Sequence, residues 1–370
     1  MNSSRPLKIA HIDIGLSLRG GQRQLLQLAR GLRLRGHAQI IVCREESALE
    51  GCARAEDFPS FSLPLHDPLH AHGILQLRQH LRLAPCEIFH AHDGHGQTVA
   101  WLASVGMPVR RVACRRVAFL PRERLRWTYR LKYAHTCDAV IAVSDSIRQG
   151  AIHYGVPQSK IELIPDGVEL PPELPSTETR AKARARWGFG EREFLVGHLG
   201  VFTPEKGQEV ALGAFQLLRE QLRHARLLLA GEGPTVRDPE ITQRCEALGD
   251  RVRLCGAIES PAEFFPALDL FIMPSKSEGL GSSALIAMSY GLPVVASRVG
   301  GLPEVVEEAR TGWLIEPASP AALAQAIVAA AGDRVRLQQW GLNGRERARR
   351  FSVDIMLERT EALYCRLLFG

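Results

Sequence analysis

Apolar and polar positions along this chain follow two rhythms that take turns. Residues 8–14, KIAHIDI, form a short, mostly apolar run with the look of a strand. After the Gly20-Gly21 pair comes a helical period that sets Leu25, Leu28, Ala29 and Leu32 on one face, stops at Gly36 and gives way to AQIIVC. That is a βαβ unit. The alternation continues through EIFHAH (87–92), RRVAC (110–114), AVIAVS (139–144) and IELIP (161–165). Segment 166–179, DGVELPPELPSTET, then breaks the rhythm as a proline-rich linker does. Beyond it EFLVGHLG, ARLLLAG, RVRLC, LFIMPS and PVVAS supply five more strands, with helices expected near 207–220, 240–248, 261–268 and 282–290.

Strands that alternate with helices imply parallel sheets covered on both faces. The expected fold is therefore α/β, two Rossmann-like domains facing each other with a cleft between them. Their expected bounds are 1–170 and 171–350, with a C-terminal helix at 351–370 packing back toward the first domain. Ligands of such sheets bind outside the carboxyl ends of the strands, so the cleft is the expected site.

Composition narrows the classes. A chain of 370 residues exceeds the size at which one core keeps growing. With 45% apolar and 23% charged residues it reads as a globular protein. The longest apolar runs, AVIAVS and LVGHLGVF, fall well short of the roughly 20 residues a membrane-spanning helix needs. MNSSRPLK runs straight into the first strand without the pattern of a secretory signal, which points to a cytoplasmic protein. Eight cysteines at scattered positions make neither a metal-ligand spacing nor a disulfide framework. Residues 1–172 hold 22 Lys and Arg against 15 Asp and Glu, and the remainder 24 against 25. All of the excess positive charge thus lies in the first half, which suits an anionic substrate or surface there.

Three stretches carry candidate chemistry. Gly20 and Gly21 stand between a strand and a helix, where small residues let a phosphate or sugar approach backbone N–H groups, although a plain turn would look the same. The spacing is not GxGxxG, so a dinucleotide enzyme is not indicated. In GVFTPEKGQE, Lys206 precedes a helix and could neutralise a diphosphate, or could be an ordinary surface lysine. In SEGLGSS, Glu278 would accept hydrogen bonds from sugar hydroxyls, while Gly279, Leu280, Gly281, Ser282 and Ser283 lead into a helix start whose N–H groups suit phosphate. A strand, SEGLG and a helix running to GLPVV are together far more specific than a lone glutamate on a turn.

On these residues the chain resembles the family 4 retaining glycosyltransferases, which have the GT-B fold. The resemblance rests on GVFTPEKG, LLLAGEGP, ALDLFIMPSKSEGLG, GLPVVAS, VGGLPEVV and TGWLIEP in the second half. It continues in GGQRQLLQLARGLRLRGH, IFHAHD, DAVIAVSDSIRQ and KIELIPDGV in the first. It implies a nucleotide-sugar donor, with a UDP-sugar favoured, no cofactor and no metal. It implies retention of anomeric configuration through front-face attack, the departing phosphate helping to take the acceptor's proton. Glu278 would hold the donor sugar, Lys206 the phosphate, and Gly20 and Gly21 the diphosphate. The acceptor would be a glycan or lipid-linked precursor of a lipopolysaccharide or capsule, reached from the inner face of the cytoplasmic membrane.

Three positions depart from the family pattern. The second glutamate of the Glu-x7-Glu element, which binds the ribose, falls at Ile286, and Ser283 and Ser289 are its candidate substitutes. The arginine that accompanies the lysine falls at Val201. A histidine near the donor sugar is replaced in CRRV by Arg115 and Arg116, which become candidate phosphate contacts. These losses leave a second reading open, a weakly active or inactive homologue that binds a nucleotide or partner in the same cleft.

Two further clusters carry titratable or basic side chains. His90 and His92 are expected on opposite faces at the end of a strand, which would argue against a shared metal ion and leaves His92 and Asp93 as candidate acceptor contacts. The run PRERLRWTYRLKYAH (121–135) interleaves basic and aromatic side chains, as a helix on an anionic membrane does, and as a partly packed surface helix also can. No nucleic-acid recognition module occurs.

Overall fold

A computed structural model of the chain describes residues 5–64, 71–117 and 123–370. Of the basic run just named, Pro121 and Arg122 lie outside these residues. The chain divides into two compact units, one of residues 1–167 with 353–370 and the other of residues 168–352.

The first unit holds a seven-stranded sheet. In chain order its strands are β1 (Lys8–Asp13), β2 (Ala38–Arg44), β3 (Ser60–Leu63), β4 (Ile88–Ala91), β5 (Arg110–Arg115), β6 (Ala139–Ala142) and β7 (Ile161–Leu163). They lie in the order β3-β2-β1-β4-β5-β6-β7, and every pairing is parallel. The chain winds outward from β1 to β3 and then returns to place β4 on the other side of β1. Apolar side chains cover both faces, with Ile12, Phe89 and Leu77 in one cluster and Leu25, Ile41 and Phe58 in another.

The second unit repeats the plan with six strands. These are β8 (Phe194–Leu199), β9 (Ala225–Ala230), β10 (Val252–Gly256), β11 (Leu270–Met273), β12 (Val294–Ser297) and β13 (Gly312–Ile315). Their order is β10-β9-β8-β11-β12-β13, again all parallel. The reversal of winding now falls between β8 and β11. Phe194, Phe202, Phe215 and Leu227 form the centre of its core.

Sequence patterning misses β3 and β13. Both are four-residue edge strands, and the polar alternation of SFSL and the glycine of GWLI give too little signal in so short a window.

The last helix, Val353–Phe369, belongs to the first unit. It lies on helix Gly20–Leu34, where a side chain at Gly31 would run into Leu357. Its Tyr364 is fully buried, and the hydroxyl lies 2.6 Å from His90 Nδ1 at the sheet. Replacing that hydroxyl leaves a buried imidazole nitrogen without its partner, which costs about 1–3 kcal/mol. Tyr364→Phe should therefore lower unfolding stability by that amount in urea titrations; an unchanged midpoint would mean the hydrogen bond contributes nothing.

Candidate functional site

In the second unit, β8 ends at Leu199 and the chain turns through Gly200 to a short 3-10 segment, Pro204–Lys206, ahead of helix Gln208–Leu217. Gly207 joins the two with φ +73°, and a Cβ there would sit 2.1 Å from the carbonyl oxygen of Pro274, just past β11. Only glycine allows that approach. It brings Lys206 to the end of β11, where its Nζ lies 2.6 Å from Glu278 Oε1. Ser275 donates its hydroxyl to the same oxygen at 2.8 Å.

Glu278 is 7% exposed, and the side chain of Lys206 is 27% exposed. The carboxylate is thus held beneath an ammonium that keeps contact with solvent. Gly300 presses on the backbone of Glu278, since a Cβ on it would meet that residue's carbonyl at 1.9 Å. This close approach explains why a glycine stands in VGGLPEVV.

Gly279, Leu280 and Gly281 are buried, and Gly281 caps helix Ser282–Ser289. The Leu280 side chain joins the interior, so only its backbone can serve a ligand. Ser282, Ser283 and Ile286 are the half-exposed residues of that helix and share one stripe at i, i+3 and i+4 spacing. Ile286 therefore occupies the open side, beside Ser283. Ser289 does not: it is fully buried and its hydroxyl donates to the Ile286 carbonyl at 2.8 Å, so it cannot replace the missing ribose carboxylate. Val201 is half-buried, and its carbonyl accepts from Gln208 Nε2 at 3.0 Å.

One residue near Lys206 gave no signal in the sequence. His198, in β8, is fully buried and donates from Nδ1 to the Ile272 carbonyl at 3.1 Å, which leaves Nε2 with no partner among the described residues. Burial, with Lys206 adding to it, pulls its pKa down to about 4.

In the first unit, Gly20 and Gly21 are not in a turn; they open helix Gly20–Leu34. A Cβ at Gly20 would meet nothing within 4 Å, and one at Gly21 only Arg116 Cδ at 3.8 Å. Packing therefore does not ask for glycine at either position, and each costs the helix up to about 1 kcal/mol relative to alanine. What the two glycines provide is bare backbone at the helix start.

Arg116 stands beside them. Its Nε is 2.8 Å from Asp166 Oδ1, and its Nη1 lies 3.3 Å from both Nδ1 and the carbonyl of His92. Arg115 turns the other way, to the Tyr133 hydroxyl and the Val117 carbonyl, with its guanidinium over the rings of Tyr129 and Tyr133. It is packed among aromatic rings, while Arg116 alone of the two borders the glycines.

The expectation that His90 and His92 point apart is wrong. Residues two apart along a strand project to the same face, and the two rings stack with centroids 4.0 Å apart. His11 joins them, and ring nitrogens of all three lie within 4.8 Å of one another. An arginine can only donate, so the bond from Arg116 makes His92 Nδ1 an acceptor and puts the ring proton on Nε2. That proton is given to His11 Nδ1 at 3.0 Å, and His11 Nε2 donates to Gln39 at 2.9 Å. These bonds use up the facing nitrogens of His11 and His92. Burial lowers the pKa of all three rings, His11 to about 4, so the chain is neutral.

In the basic run, Leu125, Trp127 and Leu131 are exposed together with Arg124, Arg126 and Arg130, while Tyr129 and Tyr133 turn inward. Among the described residues no helix is long and apolar enough to cross a membrane.

Two doubly wound parallel sheets, with charged and glycine-rich loops at the carboxyl ends of their inner strands, define the GT-B class of glycosyltransferase folds. Residues 18–170 match the model of Glycosyltransferase Family 4, and residues 193–333 that of Glycosyl transferases group 1. The chain belongs to the family 4 glycosyltransferases. It is 31% identical over 263 residues to a GDP-mannose-dependent alpha-(1-6)-phosphatidylinositol monomannoside mannosyltransferase of Mycolicibacterium smegmatis, covering 68% of this chain and 63% of that protein. It thus spans less than two thirds of that relative's length. A D-inositol 3-phosphate glycosyltransferase of Streptomyces avermitilis is 29% identical over 316 residues, or 79% of this chain and 68% of the relative. Among solved structures, Anabaena HepE in complex with UDP and glucose superposes with a TM-score of 0.86 at 22% identity, over 96% of this chain and 99% of that one. WaaG, a glycosyltransferase involved in lipopolysaccharide biosynthesis, gives 0.74 at 19% identity over 98% and 100%. At such identities these two speak for the fold.

The buried histidines make stability depend on pH with a definite sign. His11 and His198, with folded values near 4, stay neutral while an unfolded histidine protonates near 6.5. Their contribution is complete above about pH 6.5 and is lost as the pH falls toward 4. Asp93, raised to about 6 by burial and Asp13, acts in the opposite sense, but one carboxyl faces four depressed histidines. Urea midpoints should fall steadily between pH 6.5 and 5, and less steeply in His198→Asn. A midpoint that stays level over this range would contradict the neutral assignment.

Proposed function

We propose that the protein is a retaining, metal-independent glycosyltransferase that moves a sugar from a nucleotide-sugar donor to a glycan or glycolipid acceptor of the cell surface. The observation that carries this reading is the Lys206–Glu278 pair at the reversal of winding in the second sheet. An ammonium and a carboxylate 2.6 Å apart match the two ends of a sugar diphosphate, Lys206 meeting the phosphate and Glu278 the sugar hydroxyls. The start of helix Ser282–Ser289 adds backbone N–H groups, with Gly281, Ser282 and Ser283 nearest the phosphate. Charge developing on the departing diphosphate is stabilised by that lysine and those dipoles.

UDP-sugars are the first donors to test, as HepE is in complex with UDP, and GDP-mannose the second, as the mycolicibacterial relative depends on it. The relatives' names mention inositol phosphate and phosphatidylinositol mannoside acceptors, which supports an acceptor carrying hydroxyls near a phosphate or lipid. The exposed Trp127, Leu125 and Leu131 among arginines support a peripheral contact with the anionic inner face of the cytoplasmic membrane. The absence of a ribose carboxylate at Ile286 favours a second reading, a homologue that binds a nucleotide without turning it over.

A donor panel separates the two readings. With UDP-glucose, GDP-mannose and ADP-glucose, slow donor hydrolysis should appear with one nucleotide and fall about 10²- to 10³-fold in Glu278→Ala and Lys206→Ala, with folding checked by circular dichroism. Nucleotide binding without hydrolysis would favour the second reading, and neither binding nor hydrolysis would refute both. Ile286→Glu should tighten nucleotide binding by about 1–3 kcal/mol if it regains the ribose hydroxyls. An unchanged dissociation constant would mean that Ile286 does not face the ribose.

A further inference from the structure

His198 is the last buried residue of β8, just before the loop that carries Lys206. The ladder between β8 and β11 pairs Val196 with Leu270 and Gly197 with Phe271 and goes no further. Past that point the carbonyl of Ile272 accepts from His198 Nδ1, which fixes the ring and puts its proton on Nδ1. Nε2 is then an acceptor only. It is buried and has no partner among the described residues, although nearly every buried polar atom has one.

The surroundings of Gly200 show where that nitrogen points. The nearest atoms to a Cβ added at Gly200 would be His198 Nε2 at 3.3 Å, its Cε1 at 3.6 Å and Lys206 Cδ at 3.8 Å. The nitrogen and the lysine stem therefore flank one bare spot over the α-carbon of Gly200. Gly200 is not among the glycines of positive φ, so its backbone angles do not ask for glycine. An alanine would fill the spot and cover the nitrogen.

Lys206 now donates to Glu278 Oε1, an oxygen that also accepts from Ser275. When Glu278 receives sugar hydroxyls, that oxygen is shared or given up, and the ammonium, with three N–H donors, needs a second acceptor. Two bonds separate Cδ from Nζ, so a turn at the end of the lysine side chain carries the ammonium toward the ring. Lys206 is also close enough for its charge, after burial, to help keep the ring neutral, as an acceptor must be. A neutral imidazole adds no negative charge beside a phosphate, which a second carboxylate would.

We propose that His198 is a positioning residue for Lys206: Nε2 accepts one N–H of the ammonium across the bare α-carbon of Gly200 when Glu278 turns to the donor sugar. The other N–H groups of the lysine are then left for the phosphate. The inference rests on the proposed donor reading for the words sugar and phosphate, while the contact between the two side chains belongs to this chain alone. The imidazole itself touches no substrate.

The test uses full-length protein with 15N-labelled histidine, the His198 ring signals being identified by their loss in His198→Asn. In Glu278→Ala the ammonium is without its carboxylate, and the Nε2 resonance should move upfield, as an imidazole nitrogen does on accepting a hydrogen bond. That shift should vanish in Glu278→Ala/Lys206→Met. It should vanish as well in Glu278→Ala/Gly200→Ala, which keeps both partners and only fills the space between them. An Nε2 resonance unchanged in Glu278→Ala, or one that moves equally without the lysine, would overturn the proposal. Kinetics supply a second measurement. Asparagine at 198 keeps a donor toward the Ile272 carbonyl but lacks the far acceptor, whereas glutamine brings an oxygen to the place of Nε2. In donor hydrolysis His198→Asn should lower kcat about tenfold and His198→Gln should recover most of it; equal rates in the two variants would contradict the positioning role. The nitrogen measurement needs no ligand. A shift that is present while no sugar nucleotide is bound or hydrolysed would support the lysine contact and overturn the donor reading instead.

Discussion

Everything chemical in this protein depends on the parallel direction of its strands. When all strands of a sheet run the same way, all their carboxyl ends, and the helix starts that follow them, gather on one edge. The order of the strands then selects a place on that edge. In the first unit the chain leaves β1 toward β3 and comes back beside β1 as β4, so the loops after β1 and β4 run toward opposite sides of the sheet. Asp13, Gly20 and Gly21 follow β1, and His92 and Asp93 follow β4. In the second unit the same reversal separates the loops after β8 and β11, which carry Lys206 and Glu278.

Burial sets a second condition on these groups. A carboxylate taken out of water survives only beside a cation or several donors, and removing one partner of such a pair costs about 3–5 kcal/mol. Glu278 meets this with Lys206 and Ser275, and Arg116 meets it with Asp166 and His92. The pairs differ in exposure. The Lys206 side chain keeps over a quarter of its surface open to solvent while it pairs with the carboxylate, as the proposed phosphate contact requires. Arg116 is more enclosed and tied on two sides, which makes it a fixed charge at the edge of the glycine pair rather than a mobile one.

Much of this was legible in the sequence because it is local. Strand and helix alternation, the break near residue 170, and the glycines of SEGLG all lie within windows of a few residues. β3 and β13 were lost because four residues at a sheet edge carry no reliable period. The side-chain networks were lost for another reason. His11 meets His92 across 81 positions, Arg116 meets Asp166 across 50, and His90 meets Tyr364 across 274. No spacing rule reaches that far, and the expectation that set His90 and His92 apart failed because strand residues i and i+2 share a face. A plain turn was the alternative to a ligand contact at Gly20 and Gly21, and they stand instead in the first turn of a helix with almost nothing near their missing side chains.

The departures from the family pattern also acquire a physical sense when taken together. The pattern has two glutamates and two cations around the sugar diphosphate, and here Ile286 removes one negative charge and Val201 one positive. The remaining Glu278 and Lys206 still balance, so neither charge is stranded in a poorly hydrated place. On the proposed donor reading, the double change would weaken the grip on the ribose and on the phosphate without altering the net charge of the site. On that reading, one ammonium and the backbone at a helix start would hold the diphosphate, and these are the features that Gly207 and Gly300 fix by close contact with the ends of the neighbouring strand and loop.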